Sequence, residues 1–338
     1  MTTPTIRDVA REAAVSVASA SRAMNGHSNV TAATRERVLD AARRLDYVPH
    51  SGARSLTMRQ SNTIGVVLPD LFGEFFSEII RGIDRAAHRR GLQLLLANMH
   101  GSAHETEVAI RAMRGRVDGL LVMSPNVDAD FLARNLPRRL PAVVMNGWID
   151  GAGHASLSID SFAGARMMVA HLVDRGFRRI AHISGPKDNS DAQERLRGFR
   201  EAVGDLLGDR DPIVLPGDFS EEAGYEAGRV LAADPKRADA VFAGNDMMAV
   251  GCMSALAEAG LSVPDDIAVA GFDDVPIARY VTPALTTMRV HIADLGAQAL
   301  ETLVETIANP DAAGPPARML TPELVVRQST ERAPLDAR

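Results

Sequence analysis

The chain has 338 residues, too many for one ordinary domain, and a hydrophobic content of 46% supports a large buried core. Its formal net charge of −6 argues by itself against nucleic acid as a partner. The charge is unevenly distributed, however, because residues 1–60 contain nine arginines, no lysine and five acidic residues, which makes a basic front on an acidic body.

Two short helices are predicted in the first 25 residues. Thr5 and Asp8 have the spacing of a capping box before a helix over residues 6–13, and Ser16 is a good N-cap for a second helix. The second helix presents a small face that carries one long hydrogen-bond donor, formed by Val17, Ala18, Ser21 and Arg22. Two helices three residues apart with this face predict a helix-turn-helix.

A third helix is predicted over residues 31–45, with Thr31 as its cap and an apolar stripe facing the other two helices. Its outer arginines are more typical of solvated surface than of phosphate contacts. Residues 51–58 then make only about two helical turns, too few for a stable helix in isolation. Leu56 would be exposed on such a helix, and Gly52 would weaken it further.

From Thr63 onward, short apolar runs alternate with amphipathic helices, the pattern of βαβ units and a parallel sheet. The predicted strands are Thr63–Leu68, Leu92–Ala97, Gly119–Met123, Ala142–Met145, Ser156–Ile159, Arg179–Ser184, Ile213–Leu215, Ala240–Ala243 and Ile267–Gly271. The predicted helices between them are Phe76–Arg90, Glu105–Arg114, Phe162–Arg175, Ala192–Val203, Glu221–Ala232 and Met247–Ala259. Two series of strands indicate two lobes, followed by a helix over 292–307 and a strand near 324–326.

Polar and aromatic side chains follow the carboxyl ends of these strands, where open parallel sheets bind ligands. These positions are Phe72 to Phe76, Asn146, Asn189 to Arg195, Phe219, Asn245-Asp246 and Asp273-Asp274. Amides and carboxylates bond vicinal hydroxyls, and an aromatic ring covers the apolar side of a sugar. The composition of this edge therefore predicts a polyhydroxylated ligand.

Together these segments resemble the lactose-repressor/galactose-repressor family of bacterial transcription regulators. The residues that carry the similarity are Thr5 to Ala10, Ser21 to Asn25, Val30-Thr31, Tyr47 to Pro49, Ala53 to Leu56 and Ile64 to Val67. The resemblance implies an α/β fold class: an N-terminal helix-turn-helix three-helix DNA-binding domain plus hinge helix, then a two-lobed periplasmic-binding-protein-like (type I) effector domain with parallel sheets. The expected domains are residues 1–48, 49–60 and 61–338, with lobe 1 at about 61–160 and 289–320 and lobe 2 at about 161–288 and 321–330.

By this resemblance, residues 51–58 form a hinge helix that folds on DNA and wedges Leu56 between base pairs in the minor groove. Small side chains at the start of the second helix let it lie close to base edges, and Arg22 can reach a guanine or a phosphate. The predicted DNA contacts are Thr5, Ser16, Val17, Ala18, Ser21, Arg22, Asn25, Ala53 and Leu56. Val17 and Ala18 resemble the galactose-repressor branch and predict A/T-bearing half-sites around a central pyrimidine–purine step.

The family's effector contacts imply roles for side chains at the strand ends. The predicted effector-binding residues are Phe72, Phe75, Phe76, Asn146, Asn189, Asp191, Arg195, Phe219, Asn245 and Asp273. For Phe75 and Phe76 an ordinary core role is the alternative, and for Arg195, Asn245 and Asp273 the alternative is structural capping. Phe72 is expected to add an aromatic ring to the cleft.

The chain also departs from the family at three positions. Ala14 occupies a turn where glycine is usual, and would cost about 1 kcal/mol if that position needs a positive φ. The segment 72–74, Phe-Gly-Glu, stands where an Asn-Pro pair commonly precedes the two aromatics, and His50 replaces a usual Asn.

An enzyme with a similar body is the rival class. No predicted strand is followed by a Gly-rich dinucleotide or phosphate-binding loop. Cys252 lies in a helix among Met and Ala and is interpreted as a core thiol, and His100 and His104 have no further metal ligands nearby. No catalytic residue, metal site or cofactor is predicted. The absence of a signal peptide and the basic front disfavour a periplasmic sugar-binding protein, and both this absence and the single cysteine predict a cytoplasmic location.

The sequence thus predicts a repressor of carbohydrate-utilisation genes whose operator affinity is switched by a sugar or sugar derivative. The expected partners are palindromic double-stranded DNA, a small carbohydrate and a second copy of the chain in a homodimer, without a membrane. The alternative is a corepressor-dependent regulator that responds to a nucleoside or purine, or to a phosphorylated protein partner. Whether the effector induces or corepresses is left open.

Overall fold

The structure is a computed structural model that describes residues 4–25, 29–47, 61–100, 102–137, 139–147, 154–234, 238–309 and 317–332. The chain divides into two compact units, residues 1–61 and 62–338. The predicted hinge helix, with Ala53 and Leu56, and the departure at His50 lie outside the described residues.

The described residues of the first unit form three helices, α1 Ile6–Glu12, α2 Val17–Met24 and α3 Ala32–Arg44. They pack around small residues, among them Val9, Ala20 and Val38, which are fully buried. The predicted caps are confirmed: a carboxylate oxygen of Asp8 accepts from Thr5 N at 2.9 Å, Ser16 accepts from Ser19 N at 3.1 Å, and Thr31 accepts from Thr34 N at 3.3 Å. Because each cap satisfies a backbone donor that the helix itself leaves unpaired, the short helices have defined starts.

The turn between α1 and α2 contains the alanine that replaces a glycine. Ala14 has φ +52°, a left-handed conformation in which a Cβ crowds the following carbonyl. The position does need a positive φ, so the predicted strain at this turn is confirmed. It lowers the free energy of unfolding by about 1 kcal/mol relative to glycine.

The part of the second unit that the structure describes forms two six-stranded sheets. Its strands are β1 Thr63–Leu68, β2 Gln93–Asn98, β3 Gly119–Met123, β4 Ala142–Met145, β5 Ala155–Ile159, β6 Ile180–Ile183, β7 Val214–Leu215, β8 Ala240–Ala243, β9 Ala268–Asp273, β10 Thr286–Arg289, β11 Arg318–Leu320 and β12 Glu323–Val325. The first sheet has the order β11-β5-β4-β3-β1-β2 and the second β12-β10-β9-β8-β6-β7. Neighbouring strands are parallel except β10 and β12, which are antiparallel.

Helices cover both sheets, as parallel strands require. They include α4 Glu74–Arg89, α5 Ala103–Met113, α6 Ala129–Asn135, α7 Ser161–Asp174, α8 Ser190–Leu207, α9 Glu221–Ala233, α10 Asp246–Glu258 and α11 Ile292–Ala308. Helices α4, α5, α6 and α11 pack on the first sheet, and α7 to α10 pack on the second. We call these two layered bodies the first lobe and the second lobe.

The chain passes between the lobes at three places. It leaves β5 of the first sheet at Asp160 to form α7, and it leaves β10 of the second sheet at Val290-His291 to form α11. It passes again at Thr321-Pro322, between β11 and β12. In the first lobe, α4 and α11 cross so closely that a Cβ on Gly82 would lie 1.9 Å from the carbonyl oxygen of Ala293.

Most predicted strands agree with the structure to within two residues, and the elements that were missed have recognisable sequences. β10 is the polar run TTMR, β11 has three residues, and α6 has seven. Segments of these lengths are too short for a periodic pattern to distinguish them from loops. Among the described residues, no helix has the length and apolar character needed to span a bilayer.

Candidate functional site

The first unit presents the predicted DNA-reading face on α2. Ser16, Val17, Ala18 and Arg22 are exposed on this face, and Val17 keeps 45% of its accessible surface. Ser21 and Asn25 are half-buried, and Asn25 Nδ2 donates to Ser21 Oγ at 3.4 Å. Exposed small side chains at the start of a helix allow close approach to another surface, which a recognition helix requires.

Arginines dominate the charge of this unit, and several are paired within it. Arg22 Nε donates to Ala18 O at 3.2 Å, so the side chain runs back along α2. Arg44 pairs with Glu12 at 3.3 Å, and Arg43 with Asp40, both on the outside of the bundle. These two pairs fit the interpretation of the α3 arginines as solvated surface. Thr5 is exposed beside its partner Asp8.

The second unit places a buried ion pair at the carboxyl ends of its second sheet. Arg195, from α8, is 4% exposed, and its Nη2 lies 3.3 Å from the Asp273 carboxylate at the end of β9. The guanidinium also donates to Gly244 O and lies 3.8 Å from the ring centroid of Phe272. Burial raises the pKa of Asp273 to about 7, while the charge of Arg195 opposes that rise. A buried guanidinium and carboxylate at the edge of a sheet offer a polar ligand a charged hydrogen-bond donor and a charged acceptor side by side.

A second cluster joins the two lobes across the cleft between them. Asn146, directly after β4 of the first lobe, donates from Nδ2 to Asp191 of α8 at 3.0 Å. Ser161 Oγ donates to the other carboxylate oxygen at 3.1 Å and accepts from Arg195 Nε at 3.4 Å. Burial raises the pKa of Asp191, and the charge of Arg195 opposes that rise. Asn146, Asp191, Ser161, Arg195 and Asp273 therefore form one hydrogen-bonded chain from lobe to lobe.

Asn146 has a conformation that a sequence-based argument does not predict. Its φ is +49°, its side chain is almost completely buried, and its Oδ1 is buried without a hydrogen-bond partner among the described residues. Backbone strain and an unsatisfied buried acceptor are both unfavourable, and both are more common at binding sites than elsewhere.

Asn245 and Phe219 form the side of the cleft next to this chain. Asn245 Oδ1 accepts from Met248 N at 2.9 Å and caps α10, while its Nδ2 donates to Phe219 O at 3.0 Å. Phe219 has φ +75°, and its ring centroid lies 5.7 Å from the Arg195 guanidinium carbon. Asn189 caps α8, with Oδ1 accepting from Ala192 N at 3.0 Å. Asn245 thus makes the capping contact that was the alternative to its effector role, and Asn189 makes a capping contact of the same kind.

Of the three predicted aromatic residues of the first lobe, two are half-buried and one is exposed. Phe75 and Phe76 are half-buried on the first turn of α4, pack against the core and meet edge to face at 5.5 Å. Phe72 is 79% exposed on the loop before α4. This exposure gives no support to the expected place of Phe72 in the cleft, since its ring faces solvent one residue before the N-cap of α4.

The structure gives a role to two carboxylates that the sequence analysis placed at the strand ends but did not name as effector contacts. Asp246 is fully buried at the start of α10, where it accepts from Val275 N at 2.9 Å and from the Thr287 hydroxyl. Burial, followed by the neighbouring charge of Asp273, raises its pKa well above the ordinary range. Asp274 accepts from Arg289 at 2.6 Å and also from Arg327. Both carboxylates fix the turn that carries Asp273, and neither signal is visible in sequence because their partners lie 15 to 53 residues away.

A groove of about 610 Å³ opens beside this turn, between α4 of the first lobe and the 3₁₀ turn Pro276–Arg279 of the second. Asp273 lines it, together with Arg81, Arg279 and Arg289. Among the residues that the structure describes, no group of three or more His, Cys, Asp or Glu side chains is arranged to hold a metal ion. Cys252 is buried, and burial raises the pKa of its thiol to about 12, which suits a core residue.

The chain matches known proteins over most of its length. Residues 5–50 match bacterial regulatory proteins of the lacI family, and residues 169–330 match a periplasmic binding protein-like domain. The ribose operon repressor of Escherichia coli K12 is 38% identical over 311 residues, which are 90% of this chain and 94% of that protein. The chain belongs to the lacI family of bacterial regulatory proteins.

Solved structures of this family share the fold over most or nearly all of the chain. A lac repressor dimer bound to operator and the anti-inducer ONPF has a TM-score of 0.84 and 29% identity, and covers 97% of this chain and 99% of its own. A LacI family regulator from Enterococcus faecium with bound ribose has a TM-score of 0.71 and 30% identity over 79% of this chain and 98% of its own. The expected helix-turn-helix and the two-lobed, periplasmic-binding-protein-like body with parallel sheets are confirmed.

Proposed function

We propose that the protein is a DNA-binding repressor of carbohydrate-utilisation genes, and that a sugar or sugar derivative in the cleft of the second unit switches its affinity for a palindromic operator. Family membership supports the DNA-binding role, as do the exposed small face of α2 and the basic composition of residues 1–60. The proposed DNA contacts are those predicted from the sequence.

The buried Arg195–Asp273 pair carries the effector part of the proposal. A sugar presents vicinal hydroxyls, each able to donate and accept. Asp273 accepts from such hydroxyls, Arg195 donates to them, and the unpaired Oδ1 of Asn146 accepts another from the opposite lobe. Because these groups come from both lobes, a bound sugar stabilises the closed cleft. Closure of the cleft then changes the DNA affinity of the first unit.

A pentose of the ribose type is the first effector to test. The supporting observations are the 38% identity with a ribose operon repressor and the similarity to a family member crystallised with ribose. A polar chain of Asn, Asp, Ser and Arg matches a ligand with hydroxyls on most of its carbons and no large apolar surface. The protein then acts as a homodimer, because a palindromic operator needs two reading helices related by a twofold axis. As a regulator it works in the cytoplasm and catalyses no reaction.

A thermal-shift screen of the full-length protein tests the effector class. D-ribose, other pentoses, hexoses, disaccharides and purine nucleosides are compared at equal concentration. A ligand present at a hundred times its Kd stabilises the folded state by about 2.7 kcal/mol, which raises the melting temperature by several degrees. A pentose shift supports the proposal, and a shift only with purine nucleosides would replace it by the corepressor alternative.

Operator binding completes the test. DNA fragments selected from a random pool by the purified protein are sequenced and titrated with and without the sugar that gave the shift. Asp273→Ala should lose the response to the sugar and keep operator affinity, while Glu222→Ala, on the exposed surface of the same lobe, should keep both. An Asp273→Ala protein that responds fully to the sugar would show that the effector site lies elsewhere.

A further inference from the structure

Glu74, the first residue of α4, forms a hydrogen bond between the two lobes. Glu74 Oε2 accepts a hydrogen bond of 3.0 Å from Ile277 N, which belongs to the 3₁₀ turn Pro276–Arg279 of the second lobe. Val275, the N-cap residue of that turn, provides no side-chain cap. The first lobe therefore supplies the cap for an element of the second lobe.

The local sequence explains why the carboxylate of Glu74 stands at the start of α4. Gly73 is the N-cap residue of α4, has φ +91° and offers no side chain, so the first side chain of the helix is Glu74. The N-terminal ends of α4 and of the 3₁₀ turn both carry unpaired backbone N–H groups, which favour an anion. Glu74 is thus suited to both segments that it joins.

The turn that Glu74 holds continues directly from the proposed effector anchor. Asp273 has φ +112° and Asp274 φ +55°, conformations that L-residues adopt only where their surroundings enforce them. Within the second lobe, Asp246 enforces the turn by accepting from Val275 N. Glu74 adds a contact from the other lobe, four residues beyond Asp273 in the chain.

Two further hydrogen bonds between the lobes, both among the described residues, reach a different element. Asn146 donates to Asp191, and Ser190 N donates to Pro125 O at 3.0 Å; both contacts attach the first lobe to α8. Glu74 attaches it to the turn after β9 instead. Movement of that turn would therefore be passed to α4, and from α4 to α11, because these two helices are in direct backbone contact at Gly82.

We propose that Glu74 is a positioning residue for the effector site, which holds the Asp273 turn against the first lobe when the cleft is closed. This inference rests on the proposed effector function. It also assigns a role to the departure at residues 72–74: the Phe-Gly-Glu segment provides a polar contact between the lobes at the mouth of the cleft, rather than an additional aromatic ring inside it.

Hydrogen exchange at the Ile277 amide of the full-length protein tests the contact itself. Glu74→Ala should exchange about ten-fold faster than the wild type, since a hydrogen bond to a charged group is lost, and Glu74→Gln should be intermediate because its amide oxygen still accepts. Glu105→Ala removes a first-turn carboxylate from α5, on the same lobe but with an exposed side chain, and should leave Ile277 unchanged. Equal exchange in wild type and Glu74→Ala, or equal acceleration in Glu105→Ala, would overturn the proposal.

Titration with D-ribose, or with the sugar that gives the largest thermal shift, tests the consequence for the site. Glu74→Ala should raise the Kd about five- to ten-fold, Glu74→Gln less, and Glu105→Ala not at all, because the closed cleft, which is the form that binds the sugar, loses one charge-assisted contact that stabilises it. An unchanged Kd in Glu74→Ala would show that the turn is positioned without Glu74. If the wild type binds no sugar, the proposed effector class fails, and the exchange at Ile277 still decides whether Glu74 holds the turn.

Discussion

Lowering the pH from 8 to 6 should weaken sugar binding through the Asp273 carboxyl. Burial raises the pKa of Asp273 to about 7; Arg195 opposes this rise and the charge of Asp191 adds to it. A hydroxyl donates a stronger hydrogen bond to a carboxylate than to a carboxylic acid, so the ionised form is the binding form. The ionised fraction falls from about nine-tenths at pH 8 to about one-tenth at pH 6, which raises the Kd about ten-fold, or about 1.4 kcal/mol.

The same pKa has the opposite consequence for the stability of the free protein. The pKa of Asp273 is raised from 3.8 in the unfolded chain to about 7 in the folded one. Between pH 4 and 7 the folded protein therefore holds a proton that the unfolded chain releases. The contribution of this group to the free energy of unfolding is largest below pH 4 and falls as the pH rises through 7. Urea unfolding at pH 5 and 8 should show this loss in the wild type relative to Asp273→Asn.

Isothermal titration with the sugar at pH 6, 7 and 8 is the assay for binding. Asp273→Asn should bind weakly and show no dependence on pH in this range. Asp191→Asn should move the midpoint of the dependence to lower pH, because the charge of Asp191 raises the pKa of Asp273. A Kd that is constant from pH 8 to 6 in the wild type, or a slope that survives Asp273→Asn, would refute the reasoning.

Three further substitutions test the rest of the molecule. Arg22→Ala should weaken operator binding and relax its sequence preference, at about 1–3 kcal/mol for a lost base contact, and unchanged selectivity in a competition assay would remove Arg22 from the DNA contacts. Ala14→Gly should stabilise the DNA-binding unit by about 1 kcal/mol, because the left-handed φ of +52° costs glycine nothing; denaturant unfolding that shows no gain would contradict this. Gly82→Ala should destabilise the second unit by about 1–3 kcal/mol or more, because its Cβ would lie 1.9 Å from Ala293 O, and a normal melting temperature would show that the two helices can move apart.

The parts of the molecule that follow local rules were predictable from the sequence. Ser16 and Thr31 start their helices as N-caps because a short hydroxyl side chain accepts from a backbone N–H three residues on, and at Thr5 the Asp8 carboxylate accepts from the backbone N–H of the cap residue. β1 and β8 are continuous apolar runs, which a strand buried on both faces requires. Arg195 and Asp273 were both predicted for the site, although their contact spans 78 residues.

The parts that depend on how distant segments meet were not predictable. Asp246 has the sequence pattern of an ordinary acidic residue in the first turn of a helix, and only the packing of α10 under the β9 turn makes it a buried partner of Val275 N. The positive φ of Asn146 could not be predicted, because no glycine marks this position in the sequence. Phe72 was expected in the cleft because it is aromatic and follows a strand. Its place after a strand predicts at which edge of the sheet it lies, but it does not predict the direction in which a loop side chain points.

Operator affinity measured with and without the effector tests the central claim most directly. A fluorescently labelled duplex that carries the selected palindrome is titrated with the full-length protein, first alone and then with saturating sugar. The account predicts tight, sequence-specific binding that the sugar changes by at least about five-fold, the usual lower range of coupling between two sites. Equal affinity for the palindrome and for random duplex, with and without every sugar of the panel, would contradict it.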